Sequence, residues 1–246
     1  MNRFIAYFDF LGFKKFIENN EFEYQRRIVG NIFRDIESTR SLNKFKDAYL
    51  SKIIADTSHS LLNCINFSDT VVFFSSDNSD ESLKEILEVS YAFNMREIRH
   101  FFPVRGALVY GEMFYVPWCE KNVFGSVYNI NSIFGKGLVK AHERANEQNW
   151  AGTVLDESFT LEIFRKGYIL DIFLDSYAKK YKVPYKNNCE RPNEYVLNII
   201  DGTMNEVRLK NIIKDIEGNF AQHNKTMDER AKEKLSNTIL FVESYI

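Results

Sequence analysis

An aspartate interrupts an otherwise unbroken apolar run, Phe4-Ile5-Ala6-Tyr7-Phe8-Asp9-Phe10, and no other feature narrows the fold of this chain as much. The run is aromatic and β-branched, which predicts a buried strand over residues 4–10. A carboxylate there is costly to bury unpaired, because loss of water disfavours its charge. A second acid has a similar setting, Phe67-Ser68-Asp69-Thr70-Val71-Val72-Phe73-Phe74. Strands are predicted over 60–67 and 70–75, with Ser68-Asp69 between them at hairpin spacing. If the first strand and this hairpin are neighbours, both acids meet at strand ends. There they repel unless something positive lies between them. Mg²⁺ or Mn²⁺, held by one or two carboxylates plus substrate phosphates, fits such hard oxygen ligands. A lone aspartate at a strand end also serves as a turn or cap residue. It is the pairing of two, in matching surroundings, that points to a shared metal.

After Asp9, Leu11-Gly12-Phe13 reads as a tight connection into a helix over about 14–39, broken near Asn19-Asn20. Backbone amides at such a turn offer donors to phosphate oxygens. Residues 40–57 read as an irregular or helical insertion. Asp77-Asn78-Ser79-Asp80 lacks the central glycine of a calcium loop and reads as a helix cap opening 81–101. Pro103 ends that helix, and a strand is predicted over 104–110. A strand or hairpin follows over 114–128, a helix over 133–149 and a strand over 152–155. The order β-α-β-β-α-β, then α-β, is that of an α+β, ferredoxin-like (split βαβ) fold, an antiparallel sheet with helices on one face. Beyond residue 156 the pattern changes to a helix over 159–165, strands over 168–173 and 195–200, and helices over about 205–222 and 227–245. The expected division is a core over 1–156 and an α/β extension over 157–246, packed on the core or on a dimer partner.

A net charge of −2 gives no broad basic face, so a DNA- or RNA-binding protein is not expected. Cys64, Cys119 and Cys189 form no CxxC pair, which argues against a zinc site or a disulfide framework. No stretch approaches about 18 uninterrupted apolar residues, so no membrane span is expected, and a cytoplasmic protein is the reading. His59, His100, His142 and His223 share no ligand or triad spacing and read as surface or satisfied histidines.

Asp9-Phe10-Leu11-Gly12-Phe13 resembles the Asp-x-x-Gly-Phe motif of class III nucleotidyl cyclases, and Phe67-Ser68-Asp69 their second metal-aspartate hairpin. Pro103-Val104-Arg105-Gly106-Ala107, running on to Gly111-Glu112, resembles the Arg-x-Gly strand. Phe134-Gly135-Lys136-Gly137-Leu138-Val139-Lys140-Ala141 resembles the glycine-led start of the last core helix. The wording is most similar to the bacterial pyrimidine cyclases of Pycsar antiphage defence.

That resemblance implies UTP or CTP as substrate, a cyclic 3′,5′-mononucleotide as product, and a head-to-tail homodimer with active sites at the interface. It implies two Mn²⁺ or Mg²⁺ ions bridged by Asp9 and Asp69, with the Phe10 carbonyl as an extra ligand. The Leu11, Gly12 and Phe13 amides would cradle the phosphates. The Asn and Arg that stabilise the transition state in adenylyl cyclases would fall at Val139 and Glu143. Lys140 and Arg144 are candidates to supply that charge from a shifted register, or are solvated helix residues. Arg105 reads as a phosphate contact or a structural ion pair. The adenine-selecting lysine is missing from Asn63-Cys64-Ile65-Asn66, in keeping with a pyrimidine, while Tyr49 and Trp150 are aromatic candidates for a base pocket. Two alternatives stay open: another palm-type nucleotidyl transferase or a purine cyclase, and a catalytically inactive nucleotide-binding dimer module.

Overall fold

A computed structural model describes residues 1–48, 52–186 and 191–246. Its centre is a seven-stranded sheet in the order β10-β11-β9-β6-β1-β5-β4. The strands are β1 (Asn2–Phe10), β4 (Leu62–Phe67), β5 (Thr70–Ser75), β6 (Val104–Glu112), β9 (Gly152–Leu155), β10 (Ala178–Tyr181) and β11 (Glu194–Leu197). All neighbours are antiparallel except β6 and β9. That parallel pair needs a long crossover. It is made by β7 (Phe114–Lys121), β8 (Val127–Phe134) and the helix α4 (Lys136–Glu147).

β1 is a central strand, paired with β5 on one side and β6 on the other. Its side chains alternate between the faces of the sheet. Phe8 and Phe10 meet Phe93 of α3 (Asp80–His100), with ring centroids 5.0 and 6.2 Å away. Tyr7 instead meets His142 of α4 at 5.5 Å. Helices therefore cover both faces, where the sequence pattern suggested one. The reason lies in two glycines. A Cβ on Gly137 of α4 would lie 2.8 Å from the Gly111 carbonyl carbon of β6, so α4 rests on the second face backbone to backbone.

The first helical stretch divides as expected at Asn19-Asn20, into α1 (Phe13–Glu18) and α2 (Phe22–Arg40). Asn20 Nδ2 donates to the Phe16 carbonyl, 2.8 Å away, and closes α1. Ser79 caps α3, accepting from the Ser82 amide at 3.2 Å. The insertion is a small hairpin, β2 (Phe45–Ala48) with β3 (Lys52–Ala55), and not a helix. Tyr49 lies outside the described residues.

In the extension the expected strand over 168–173 is a helix, α6 (Leu170–Leu174), after α5 (Glu157–Arg165). Strand alternation would bury Ile172 with Tyr168 and Leu170. Ile172 is 73% exposed and Leu174 is buried, the outcome of helical spacing. Strands β10 and β11 continue the core sheet beyond β9. The helices α7 (Glu206–Ala221) and α8 (Glu229–Glu243) complete the chain. Asn219 of α7 donates to the Ile98 carbonyl of α3 at 3.1 Å. Phe241 of α8 packs edge-on against Trp150 at 4.9 Å. The extension thus packs on the core of its own chain.

Candidate active site

The register of β1 determines the surroundings of Asp9, which faces Thr70 on β5 and Arg105 on β6. Asp69 follows Ser68 in the two-residue turn between β4 and β5, where Ser68 holds the left-handed φ of 55°. The Phe10 amide donates to the Asp69 carbonyl at 2.8 Å and draws that turn onto the end of β1. Both aspartates then line one cleft of about 240 Å³ with Tyr7, Arg105, His142 and Asn146.

Arg105 donates through Nε to Asp9 Oδ2 at 2.8 Å, with Nη2 also 2.8 Å from that oxygen, and through Nη2 to Asn146 Oδ1 at 2.6 Å. Asp9 Oδ1 is left without a protein partner among the described residues. Burial pushes the Asp9 carboxyl above its usual range, and Asp69 adds to this, while Arg105 and His142 pull it down. The Tyr7 hydroxyl shares a hydrogen bond with Thr70 Oγ1 at 3.2 Å, and burial raises its pKa.

A divalent cation fits this donor set. Two carboxylates on one cleft, with Asp9 Oδ1 and the Asp69 side chain unclaimed among the described residues, provide what Mg²⁺ takes from protein when phosphates and water complete its shell. No group of three or more His, Cys, Asp or Glu side chains suited to a metal occurs among the described residues. The remaining ligands therefore fall to backbone carbonyl, water and substrate.

The other residues singled out from sequence separate into two groups. Gly12 takes the left-handed φ of 83° that the turn requires, and Phe13 is buried against Phe10, Phe16 and Phe102. The Leu11 amide, expected to cradle phosphate, donates instead to the Pro103 carbonyl at 2.8 Å. The Gly12 and Phe13 amides have no acceptor among the described residues. Lys140 and Arg144 do not line the cleft. Lys140 Nζ lies 2.6 Å from Asp156, and the buried Arg144 is enclosed by Asp156, Glu194, Glu147 and the Tyr185 hydroxyl. Trp150 is fully buried between Tyr181 and Phe241, which leaves it no base to stack on.

His142 and Asn146 are cleft residues that sequence reasoning missed. They stand i, i+4 on one face of α4. That is the spacing of Val139 and Glu143 moved on by three residues, and this was the signal available.

No protein-family profile matches the chain, and neither does any curated protein. By fold it is similar to the catalytic domains of nucleotide cyclases. The dimeric guanylyl cyclase domain of the RhoGC fusion protein from the aquatic fungus Blastocladiella emersonii is matched over 80% of this chain and 95% of that one, with a TM-score of 0.50 and 8% identity. The guanylate cyclase domain of RhGC from Catenaria anguillulae, in complex with GTP, gives 0.49 and 8% over 80% and 96% of the two chains. The adenylyl cyclase CyaB from P. aeruginosa gives 0.45 and 11% over 83% and 95%. At these identities the likeness is one of fold.

Proposed function

We propose that the chain is a pyrimidine nucleotide cyclase, converting UTP or CTP to the cyclic 3′,5′-monophosphate and pyrophosphate. The observation that carries this reading is the meeting of Asp9 and Asp69 on one cleft, with Arg105 beside them, at the strand ends of a cyclase-type sheet. Asp9, Asp69 and the Phe10 carbonyl would hold two Mn²⁺ or Mg²⁺ ions, which when bound supply positive charge to the ribose 3′-hydroxyl and the triphosphate. The chain's own groups then orient and neutralise. Arg105 meets phosphate charge, the Gly12 and Phe13 amides donate to phosphate oxygens, and Asn146 holds the Arg105 guanidinium in place. The ribose 3′-oxygen bonds to the α-phosphorus and gives up its proton to water as the bond from that phosphorus to the β-phosphate oxygen breaks, releasing pyrophosphate. Positioning and charge stabilisation account for the rate, with no covalent intermediate.

Choice of a pyrimidine rests on the resemblance to the Pycsar cyclases and on the absence of lysine from 63–66; a part in antiphage defence rests on that resemblance alone. A homodimer is supported by the β7–β8 hairpin, which leaves Trp118, Phe124 and Tyr128 exposed and stacks Phe114 on Phe134. No helix among the described residues is long and apolar enough to cross a membrane.

The test is incubation of the purified protein with each of the four nucleoside triphosphates and Mn²⁺. A cyclic pyrimidine mononucleotide with equimolar pyrophosphate is expected. A linear or dimeric product would favour the palm-type transferase. Binding without turnover of any nucleotide would favour the inactive module.

A further inference from the structure

One face of α8 carries residues 230, 234, 238 and 241, one below another at helical spacing; it is buried at its lower end and open at its upper end, where Arg230 is exposed. The lower half of this face is conventional. Thr238 and Phe241 are fully buried, and Thr238 Oγ1 accepts from the Ala151 amide at 2.8 Å. The next residue, Asn237, donates to the Asn149 carbonyl, also at 2.8 Å. These bonds tie the helix to the end of α4. The upper half carries two cations, Arg230 and Lys234, while the apolar stripe of the helix runs on beside them through Leu235. Both line a cavity of about 240 Å³ whose other wall is the Leu11-Gly12 turn, and Lys15 and Lys225 line it as well. Lys15 is paired with Glu18, and Lys225 donates to the Asn219 carbonyl. Arg230 and Lys234 have no ion-pair partner among the described residues. The one carboxylate at the cavity, Asp228, accepts from the Ala231 amide as the cap of α8. Two like charges one turn apart on a helix repel, and Asp228 and Glu233 offset part of the charge on Lys234, whose Nζ also donates to the Arg230 carbonyl at 3.3 Å.

The cavity is next to the Asp9 cleft. Burial lowers the pKa of both Lys186 and Lys234, and the charge of Arg105 is close enough to add to this for each of them. Lys186 Nζ donates to the Asn146 carbonyl, which also accepts from Arg105 at 3.4 Å. Positive charge therefore runs from Arg105 past Lys186 to Lys234 and Arg230, along the turn that follows Asp9.

We propose that α8 forms a polyphosphate site, in which Arg230 and Lys234 take up the β- and γ-phosphate end of a nucleoside triphosphate against the Gly12 turn. The inference rests on the cyclase reading for the nucleotide, but the site itself is a property of the cavity. Its occupant is a linear polyphosphate, free or as the tail of a nucleotide. The extension then completes the substrate site from the same chain that supplies Asp9.

The experiment uses the full-length chain and inorganic tripolyphosphate as probe, followed by titration calorimetry without nucleotide or turnover. Arg230→Ala and Lys234→Ala are each expected to weaken binding at least tenfold, with unchanged melting temperature. Lys232→Ala removes the same charge from a residue paired with Glu229 outside the cavity and is expected to leave binding as it is. Equal weakening by Lys232→Ala would reduce the effect to net charge and overturn the proposal. The same variants are then compared for KM. If the wild-type chain cyclises a nucleotide and KM does not rise in either cavity variant, this proposal falls and the cyclase reading stands. If no nucleotide is cyclised while tripolyphosphate binding still depends on Arg230 and Lys234, the cyclase reading falls and the site stands.

Discussion

Arg105 and Asp9 are direct cross-strand partners, and the guanidinium closes on a single carboxylate oxygen through two nitrogens, each 2.8 Å away. Of the charges around Asp9, Arg105 does most to hold its pKa down against burial. Arg105→Ala should therefore move the acidic limb of the pH–rate profile to higher pH, since Asp9 then ionises later. It should also lower kcat/KM about 100-fold, the scale of losing one preorganised charge at a reacting centre. Arg105→Lys should restore little, because an ammonium cannot reproduce the two-nitrogen contact. An acidic limb that stays in place would mean that Asp9 is not the group titrating there.

The side chain of Asp69 makes no hydrogen bond among the described residues; only its carbonyl is used, by the Phe10 amide. Asp69→Ala should then lower turnover by on the order of 10³ or more while changing unfolding free energy by no more than about 0.5 kcal/mol, as for other substitutions away from a packed network. Product assays with Mn²⁺ and urea unfolding on the same preparation decide it. Retained turnover would remove Asp69 from the metal site.

Arg144 predicts the opposite combination. It is buried and lies 3.2 Å from Asp156 Oδ2, itself 4% exposed, so its removal leaves Asp156 with Lys140 alone and takes from Glu194 its ion-pair partner. Arg144→Met should cost about 3–5 kcal/mol in urea unfolding, the usual loss when one partner of a buried pair is removed. A stable variant that has lost turnover would return Arg144 to the chemistry.

Asp35 makes stability depend on pH. It lies 2.8 Å from Arg96, yet burial pushes its pKa up to about 6, and its second oxygen has no partner. From about pH 4, where an unfolded aspartate ionises, up to about 6, the folded carboxyl keeps a proton that the unfolded chain has released. Its contribution to stability therefore falls as pH rises through that window, by about 2–3 kcal/mol in all at 1.4 kcal/mol per unit. Unfolding measured at pH 4, 5, 6, 7 and 8 should show the wild type losing this much relative to Asp35→Asn, with no further change above about 7. A difference independent of pH would contradict the assignment.

The centre of this site was legible because burial magnifies the cost of a charge. Asp9 and Asp69 stood out as acids inside Phe- and Val-rich runs, and the hairpin spacing at Ser68-Asp69 placed them together. His142 and Asn146 were not legible in this way, because α4 is polar along much of its length and nothing in its sequence tells the face that meets Tyr7 from the face in water. The surroundings of Lys140 and Arg144 were not legible for the same reason, since a cation on a helix does not reveal whether it will face a cleft or Asp156. The second covered face of the sheet depended on Gly111 meeting Gly137, a contact between residues distant in the chain. The partner of the Leu11 amide, the Pro103 carbonyl, was not legible because it also lies far off in sequence.

The central position of β1 has a consequence for how the protein is made. Its two partners, β5 and β6, are translated well after it, so one edge of the strand stays open until residue 75 and the other until about residue 112 has been added. At about 5–20 residues per second this lasts on the order of ten seconds. In that interval Phe4-Ile5-Ala6-Tyr7-Phe8 is an uncovered, strand-prone segment of the kind that pairs with other chains. Asp9 is the one charge within 4–10, and a charge in such a segment opposes intermolecular stacking. The cleft aspartate is thus also a gatekeeper of the nascent chain, and Asp9→Asn should reduce soluble yield as well as turnover.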